Sequence, residues 1–377
     1  MISVSGDVYL IIGGNGFLGK VIVKLLIEKV HDISEVRLFD KVIQEDHVES
    51  LQALVGSRVK LTMFKGDLRD KEVLQKACQG VTCAIHTASV IDLWGKVSKE
   101  EMETTNVEGS HLLLETCIQQ NVKCFIYTST VEVVGPNIRG DPICNGDEDT
   151  DYISEQTTLY SKTKYAAEQL ILRANGSPLP NGEQIVTSAL RPMYIYGENS
   201  RFMLHDLDVG IINGNVLPRT SRKEALVNPV YVGNVAWAHV LLARAMKEED
   251  KKRIVGGKFY YITDDTPHMS YSDFNHELMH FLGLSIPSKL PIPLLLMYFI
   301  AYIIDMLWLL IRPFIKSVPK QNRHFLMILN TKFTFTSHKA RNDFDYIPLY
   351  SWEVAKEKTT TWLASVIQER REFLNKK

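Results

Sequence analysis

A glycine-rich turn close to the start of the chain constrains its fold more than any other feature. The apolar run Val8–Ile12 leads directly into GGNGFLG (residues 13–19), and a stretch with apolar residues at helical spacing follows. Gly13, Gly16 and Gly19 would permit a tight turn, close approach of a pyrophosphate to the backbone, and close packing of helix on strand. The pattern predicts a dinucleotide-binding strand–turn–helix unit, with the phosphates at the helix N-terminus.

Short apolar runs then alternate with stretches long enough for crossover helices. The predicted strands are Val8–Ile12, Glu35–Asp40, Val59–Asp67, Cys83–Ala88, Cys124–Ser129 and Val186–Pro192. This alternation predicts the α/β class, with a Rossmann-like, doubly wound parallel sheet covered by helices on both faces. We expect an NAD-binding domain over residues 1–192 and a substrate-binding portion over 193–290.

The segment Leu294–Ile311 is apolar and carries one charged residue, Asp305. A helix of this length is about 27 Å long, slightly less than the ~30 Å hydrocarbon core of a bilayer. Tyr298, Tyr302 and Asp305 would form one polar stripe along it. We therefore predict a membrane-associated segment over residues 291–315, as a helix partly embedded in the bilayer, with a buried core helix as the alternative.

The region 316–377 is expected to complete the substrate portion, with an amphipathic helix around Trp352–Leu374. Lys316, Lys320 and Arg323 could contact anionic lipid headgroups.

The charge balance argues against a nucleic-acid partner. The chain has 43 Lys and Arg against 44 Asp and Glu, whereas nucleic-acid binding usually needs a basic face. The five cysteines show no metal-like CxxC spacing, so we expect reduced thiols and no metal site.

Two carboxylates are placed to contact the cofactor. Asp40 ends the second predicted strand about 20 residues beyond the glycine turn, where an acid can bind the ribose hydroxyls. Its charge would repel a 2′-phosphate and favour NAD over NADP, although the neighbouring Lys41 acts in the opposite direction. Asp67 could lie beside the adenine. Alternatively, Asp40 simply ends a strand and Asp67 caps the following turn.

The pair Tyr160 and Lys164 indicates dehydrogenase chemistry. Residues four apart share one helix face, and an ammonium group near a phenol favours the phenolate that can accept an alcohol proton. A hydroxyl from Ser129 or Thr130, at the end of an earlier strand, could hold the substrate oxygen. Both hydroxyls could equally be helix caps, and the sequence does not choose between them.

Beyond these motifs, the chain closely resembles the 3β-hydroxysteroid dehydrogenase/Δ5→Δ4 isomerase family of extended short-chain dehydrogenases/reductases over nearly its whole length. The matching stretches are GFLG (16–19), IHTA (85–88), Phe125–Asn137, Leu190–Glu198, Asn228–His239, Phe259–His268 and Pro348–Glu353. The resemblance implies Tyr160 as catalytic base, Lys164 as its partner at the cofactor, and Ser129 as the family's serine.

The resemblance also implies further site residues. Phe17, Leu18 and Thr87 would contact the cofactor, and Tyr260 and Asp264 would serve as acid and base of the isomerisation. Asp265 could replace Asp264 as the base. The alternative is that these adjacent acids only form a turn.

The expected activity is NAD-dependent oxidation of the 3β-hydroxyl of a 3β-hydroxy-5-ene steroid, followed by isomerisation to the Δ4-3-ketone. The expected location is the endoplasmic reticulum or mitochondrial membrane, in contact with membrane lipid, and a homo-oligomer is compatible with the sequence. The alternatives are a related dehydrogenase or epimerase acting on another sterol, lipid or nucleotide sugar, and a cofactor-binding sensor without turnover.

Overall fold

A seven-stranded parallel sheet forms the centre of the computed structural model, which describes residues 6–55, 58–92, 97–137, 139–152, 155–311 and 323–376. The strands in chain order are β1 (Asp7–Ile12), β2 (Ile33–Asp40), β3 (Lys60–Lys65), β4 (Cys83–His86), β5 (Cys124–Thr128), β6 (Ile143–Gly146), β7 (Val186–Pro192), β8 (Ile195–Tyr196), β9 (Val230–Tyr231), β10 (Phe259–Ile262) and β11 (Phe333–Phe335).

The order of strands across this sheet is β10-β7-β5-β4-β1-β2-β3. The direction of chain progression reverses between β1 and β4, and ligands of such sheets bind outside the carboxyl ends of the strands at this point. The six predicted strands are all present, and the predicted α/β class with a Rossmann-like parallel sheet is confirmed.

Helices cover both faces of the sheet. In chain order they are α1 (Phe17–Lys29), α2 (Glu45–Val55), α3 (Lys71–Cys78), α4 (Lys99–Glu103), α5 (Gly109–Gln119), α6 (Leu159–Arg173), α7 (Arg201–Ile212), α8 (Val232–Ala245), α9 (Glu249–Val255), α10 (Tyr271–Met279), α11 (Leu294–Ile311), α12 (Arg323–Asn330), α13 (His338–Phe344) and α14 (Trp352–Asn375). Two large apolar clusters, one on each face, explain why the strands read as nearly continuous hydrophobic runs.

The sheet includes a strand from beyond residue 192. β10 pairs in parallel with β7, with Tyr260 opposite Leu190 and Ile262 opposite Pro192. Helix α8 packs on α1, and α14 packs on α7 and α10. The expected substrate-binding portion therefore contributes strand β10 to the central sheet and helix α8 to the layer that covers it.

Helix α11 has the predicted bounds and packs against α12. Tyr298 donates a hydrogen bond to the Leu326 carbonyl (3.5 Å), and Asp305 accepts one from the Arg323 backbone N–H (3.3 Å). Two members of the predicted polar stripe thus face α12, whereas Tyr302 is half exposed.

Across the described parts of the chain, no helix combines the length and the apolar character needed to cross a membrane. Lys316 and Lys320 lie outside the described residues.

Candidate active site

The glycine turn forms a cradle between β1 and α1. Gly13 has φ +80°, and a Cβ atom there would lie 2.8 Å from the backbone nitrogen of Ala88. A Cβ atom at Gly19 would lie 2.0 Å from the Gly13 carbonyl oxygen, so the close approach of helix to turn requires glycine. Gly16 caps α1 without a side-chain hydrogen bond, and the first turn carries no acid. The open N–H groups and the helix dipole therefore suit a pyrophosphate.

The side chains of Phe17 and Leu18, the two residues after this cap, pack into the core, although both residues were expected to contact the cofactor. Leu18 is buried in the core below the sheet, and Phe17 packs against the same core while partly exposed. Only the backbone of Leu18 can therefore contact a cofactor.

Asp40 lies at the end of β2 beside the turn. Its Oδ2 accepts a hydrogen bond from the Asn15 backbone N–H (3.0 Å), and its Oδ1 accepts one from Val42 (3.3 Å). The Asn15 side chain donates to the Val42 carbonyl (2.7 Å), and its Oδ1 is buried without a partner in the described chain. The carboxylate is thus fixed where a ribose would follow the pyrophosphate.

Lys41 and Asp67 form an ion pair with each other rather than with Asp40. The Lys41 ammonium lies 3.0 Å from Asp67 Oδ2, and Arg69 binds the same carboxylate at 2.7 Å. Arg69 holds the pKa of the Asp67 carboxyl well below its usual range. Asp67 therefore orients the cation next to Asp40 instead of offering a free carboxylate.

Thr87 follows β4, and its hydroxyl donates to the Ile12 carbonyl (2.9 Å), which joins the ends of β1 and β4. The loop beyond it is fixed by Asn106, a residue that the sequence analysis missed. Its side chain bonds both backbone groups of Val90 (2.8 and 3.0 Å) and donates to the Thr163 hydroxyl (3.1 Å). Asn106 lies in a π-helical turn between α4 and α5, and no local sequence pattern predicts such a turn.

Helix α6 positions Tyr160 and Lys164 at the end of β5. Thr158 and Ser161 form a reciprocal capping box, which places Tyr160 in the first helical turn. Lys164 is buried, donates to the Thr128 carbonyl (2.5 Å), and its Nζ lies 4.1 Å from the centre of the Tyr127 ring.

The pKa values of Lys164 and Tyr160 do not follow the expectation that the lysine ammonium favours the tyrosine phenolate. Burial lowers the pKa of Lys164 to about 7, and the charge of Glu168 partly opposes that change. Burial raises the pKa of the Tyr160 phenol above its usual value, and the charge of Glu132 raises it further. Lys164 lies on the predicted helix face, but the shift of the Tyr160 pKa is opposite to the one that lysine alone would give.

The structure distinguishes Ser129 from Thr130. The Thr130 hydroxyl accepts a hydrogen bond from the Glu132 backbone N–H (3.3 Å) and so caps the 3-10 turn Val131–Val134. Ser129 is buried, and its Oγ has no hydrogen-bond partner in the described residues. A buried hydroxyl of this kind can hold a substrate oxygen, so the geometry favours Ser129 over Thr130.

Tyr260 and Asp264 are occupied by other contacts. The Tyr260 hydroxyl donates to Asp343 (2.8 Å) of α13. Asp264 accepts hydrogen bonds from the Tyr231 backbone N–H (2.9 Å) and the Asn234 side chain (2.8 Å), which hold the start of α8.

The Thr266 backbone N–H also donates to Asp264 (3.0 Å), which is the turn geometry considered as the alternative. Burial raises the pKa of the Asp264 carboxyl. Its neighbour Asp265 is exposed. The structure gives neither Tyr260 nor Asp264 a hydrogen bond to Tyr160 or Ser129 in the described residues, and it uses both as anchors of neighbouring helices.

Known structures share this fold. The protein gox2253 matches with a TM-score of 0.69 at 24% identity, covering 96% of this chain and 98% of the other. The dTDP-glucose 4,6-dehydratase DesIV from Streptomyces venezuelae, a double mutant solved with NAD, matches with a TM-score of 0.67 at 17% identity (94% and 96% covered). The UDP-glucuronic acid 4-epimerase from Bacillus cereus, in complex with NAD, matches with a TM-score of 0.65 at 18% identity (96% and 99% covered). At these identities the likeness shows the fold.

A Rossmann-like sheet with a glycine cradle after β1, and Ser129, Tyr160 and Lys164 at the end of β5, defines an enzyme of the extended short-chain dehydrogenase/reductase class. The family model described as the 3-beta hydroxysteroid dehydrogenase/isomerase family matches residues 10–294. The chain belongs to this family.

Proposed function

We propose that the protein oxidises the 3β-hydroxyl of Δ5 steroids to the 3-ketone with NAD, and then isomerises the product to the Δ4-3-ketone. Family membership supports the substrate class. The observation that carries the oxidation is the buried hydroxyl of Ser129, which has no hydrogen-bond partner among the described residues. Ser129 directly follows Thr128, whose carbonyl accepts the hydrogen bond from Lys164.

Each of the three side chains would have a distinct task in the oxidation. Ser129 would hydrogen-bond the substrate oxygen, and Tyr160 would accept its proton. Lys164, with a pKa of about 7, would supply positive charge near neutrality and so favour the phenolate. NAD, when bound, supplies the hydride acceptor.

The preference for NAD over NADP follows from charge at the ribose. Asp40 is fixed beside the glycine cradle and would repel a 2′-phosphate. Lys41 would otherwise attract that phosphate, but its ammonium is paired with Asp67. The related structures that contain NAD agree with this preference.

The isomerisation requires a proton to move from carbon 4 to carbon 6. The family resemblance assigns Tyr260 as acid and Asp264 as base, and this assignment stays a prediction. For this pair to act on a steroid, Tyr260 would have to leave Asp343 and Asp264 would have to give up its N–H donors.

A lipid surface would deliver the substrate. Leu295, Phe299 and Leu310 of α11 are 83%, 60% and 73% exposed, and six more large apolar side chains of this helix are at least 40% exposed. So large a contiguous apolar surface is unusual on a soluble protein. We infer that this face of α11 rests in the endoplasmic reticulum or mitochondrial membrane, where sterols partition.

A nucleotide-sugar dehydratase or epimerase is the second candidate. The similarity to the DesIV dehydratase and the Bacillus cereus epimerase favours it. The exposed face of α11 argues against it, because a water-soluble substrate needs no apolar surface.

A substrate panel tests the proposal. The purified chain in lipid vesicles is incubated with 3β-hydroxy-5-ene steroids or UDP-sugars, each with NAD or NADP, and NADH and enone absorbance are recorded separately. We expect both signals with steroid and NAD only. Turnover of a UDP-sugar without steroid turnover would contradict the proposal.

The variant Tyr160→Phe should lose both signals by a factor of about 10²–10⁴, because it removes the proton acceptor. Tyr165→Phe removes a phenol from the same helix and serves as the matched control, with activity near that of wild type. Full activity of Tyr160→Phe would contradict the assigned mechanism.

A further inference from the structure

Asp206 of α7 and Asn275 of α10 form a polar pair between two helices of the substrate-binding portion. The Asn275 side-chain amide donates a hydrogen bond to Asp206 Oδ2 (2.7 Å). The other polar atom of that side chain, Oδ1, is buried and has no hydrogen-bond partner in the described residues. A buried acceptor of this kind has lost its hydration without gaining a donor, so it calls for a donor from outside the chain.

Three aromatic rings lie one helical turn from this pair. Phe202 precedes Asp206 by four residues in α7, so the two share one helix face. Tyr271 stands in the same relation to Asn275 in α10. The Tyr194 ring joins the two helices, because its centre lies 6.4 Å from that of Phe202 and 5.6 Å from that of Tyr271. The polar pair therefore continues an aromatic wall made by these three rings.

The aromatic wall begins beside the proposed catalytic hydroxyls. The Ser129 backbone N–H donates to the Leu190 carbonyl (2.7 Å) of β7. Tyr194 follows Leu190 by four residues, which span at most about 13 Å of extended chain. Tyr194 and Tyr271 also pack on the apolar cluster that includes valines of the turn Val131–Val134, just after Ser129. An elongated substrate whose oxygen lies at Ser129 would therefore extend along the wall towards the polar pair.

The same side chains line a recess rather than an open surface. The polar pair and the aromatic wall consist of partly exposed residues, namely Tyr194, Phe202, Asp206, Tyr271 and Asn275. Burial nevertheless raises the pKa of the Asp206 carboxyl to about 7 and raises the pKa of the Tyr194 and Tyr271 phenols. Groups that touch solvent and still lose much of their hydration lie in a crevice.

A purely structural role would leave this arrangement unexplained. One hydrogen bond between Asn275 and Asp206 can hold α10 against α7, but the Asn275 acceptor stays unpaired in exchange. Leu207 and Phe274, the adjacent residues of the two helices, are fully buried and already anchor both helices in the core. The polar pair is therefore not needed to hold the helices, and its free acceptor points to a ligand.

We propose that Asp206 and Asn275 bind a hydroxyl group at the end of the substrate opposite carbon 3, an inference that rests on the proposed function. In a four-ring 3β-hydroxy-5-ene steroid this group is a hydroxyl on carbon 17. Its O–H donates to Asn275 Oδ1, and its oxygen accepts from Asp206 in the carboxylic acid form. A ketone or a plain methylene at carbon 17 has no O–H and leaves Asn275 Oδ1 unpaired. The pair thus acts on the choice of substrate and not on the chemical step.

Two steroids that differ only at carbon 17 test the assignment, with the full chain in lipid vesicles and NAD. One carries a 17β-hydroxyl and the other only hydrogen, and NADH formation gives kcat and KM for each. We expect wild type to favour the hydroxylated steroid at least about 10-fold in kcat/KM, mainly through KM, because an unpaired buried acceptor is costly. Asn275→Leu removes that acceptor at similar size and should reduce the preference to within about 3-fold. Partition of each steroid into the vesicles is the same for both proteins and cancels from the comparison.

Two further variants complete the design. Asn181→Leu is the matched control, because Asn181 also donates its amide to a carboxylate, that of Glu183 (3.0 Å), but in an exposed loop. It should leave the preference unchanged. Asp206→Asn keeps the shape of the side chain, and its amide can donate to Asn275 Oδ1 within the pair. It should therefore lower the preference for the hydroxyl, and it decides the question if Asn275→Leu fails to fold.

Several outcomes would overturn the assignment. A wild-type preference of less than about 10-fold would do so, and so would a preference that survives in both pair variants. Equal loss of activity on both steroids in Asn275→Leu would show a structural role instead. A 17-ketone used better than the 17β-hydroxyl would assign the pair to an acceptor group, against the proposal. Wild type that oxidises none of these steroids overturns the proposed function as well, whereas oxidation of both steroids without preference overturns this inference alone.

Discussion

Replacing Glu168 by Gln should destabilise the fold more than any surface charge replacement. Glu168 lies on α6, four residues after Lys164, and forms a two-pronged ion pair with Arg191 of β7 at 2.8 and 2.5 Å. Neither side chain is more than 4% exposed. Arg191 also donates to the Tyr261 hydroxyl (3.2 Å). The pair therefore ties the catalytic helix to the sheet, and the variant leaves a buried guanidinium without its counter-charge.

The size of the effect follows from burial. Removing one partner of a buried pair costs about 3–5 kcal/mol. With an unfolding entropy of about 2.1 cal/mol/K per residue over 377 residues, the thermal midpoint should fall by about 4–6 °C. The same change should also affect the site, because the charge of Glu168 raises the pKa of Lys164 and its loss lowers that pKa further.

Thermal unfolding followed by circular dichroism, with and without NAD, measures this cost. Glu183→Gln is the control, because it removes the same charge from an exposed pair with Lys123 and should leave the midpoint unchanged. The double variant Glu168→Leu/Arg191→Met should recover most of the loss, since apolar residues of similar volume replace the whole pair. A Glu168→Gln midpoint equal to that of wild type would refute the reasoning.

Three further predictions concern the cofactor and pH. Gly19→Ala, whose Cβ would lie 2.0 Å from a carbonyl oxygen, should weaken NAD binding at least about 10-fold by titration calorimetry. Gly176→Ala strains a loop backbone at φ +79° where the Cβ meets no atom, so it controls for a loss of stability outside the cradle; unchanged affinity of Gly19→Ala would contradict the cradle. Asp40→Ala should raise the ratio of NADP to NAD turnover about 10-fold or more, because it removes the repulsion of the 2′-phosphate; an unchanged ratio would contradict this role. Burial raises the pKa of the Glu148 and Asp206 carboxyls to about 7 in the folded chain. The stability that each group contributes is therefore fully present below the ordinary carboxyl pKa and is lost as the pH rises to about 7. The free energy of unfolding should fall over this range by up to about 1.4 kcal/mol per pH unit for each of the two groups. Asp206→Asn should flatten that part of the curve of midpoint against pH, and an unaltered slope would count against the shift.

Much of the fold was predictable because its signals are local. Buried strands, a glycine turn and capped helices each arise from a few neighbouring residues, and their alternation suffices to predict a parallel sheet. The role of β10 was harder, because the strand is short and its partner β7 lies more than sixty residues earlier. Nothing in the local pattern of Phe259–Ile262 indicates that it completes the cofactor sheet.

In the candidate site, too, the roles set by local sequence were predictable and those set by long-range contacts were not. Tyr160 and Lys164 were predictable because helix periodicity places them on one face. The roles of Ser129 and Thr130 were not, because only the cap hydrogen bond in the folded chain distinguishes two adjacent hydroxyls. Glu132, an acid inside an apolar run, was not predicted as a site residue. Its effect on the pKa of Tyr160 depends on where the folded chain places the two side chains.

The position of Tyr260 depended on a part of the chain that its own sequence neighbourhood does not reveal. Successive strand residues point to opposite faces, so Tyr260 and Tyr261 diverge. Tyr260 meets Asp343 of α13, some eighty residues later, and Tyr261 meets Arg191. A family motif specifies which residues are present, and the partners that occupy them come from distant segments.

A short series of contacts joins the exposed apolar face of α11 to α6, the helix that carries Tyr160. α11 packs on α12, and His324 of α12 lies 2.5 Å from the Thr157 hydroxyl. The next residue, Thr158, caps α6, and Tyr160 follows in its first turn. A sterol leaving a bilayer at α11 would therefore arrive beside the end of α6 that carries the tyrosine. This adjacency supports the proposed function, because a poorly soluble substrate is far more concentrated in the bilayer than in water, and a site beside the bilayer can draw on that store.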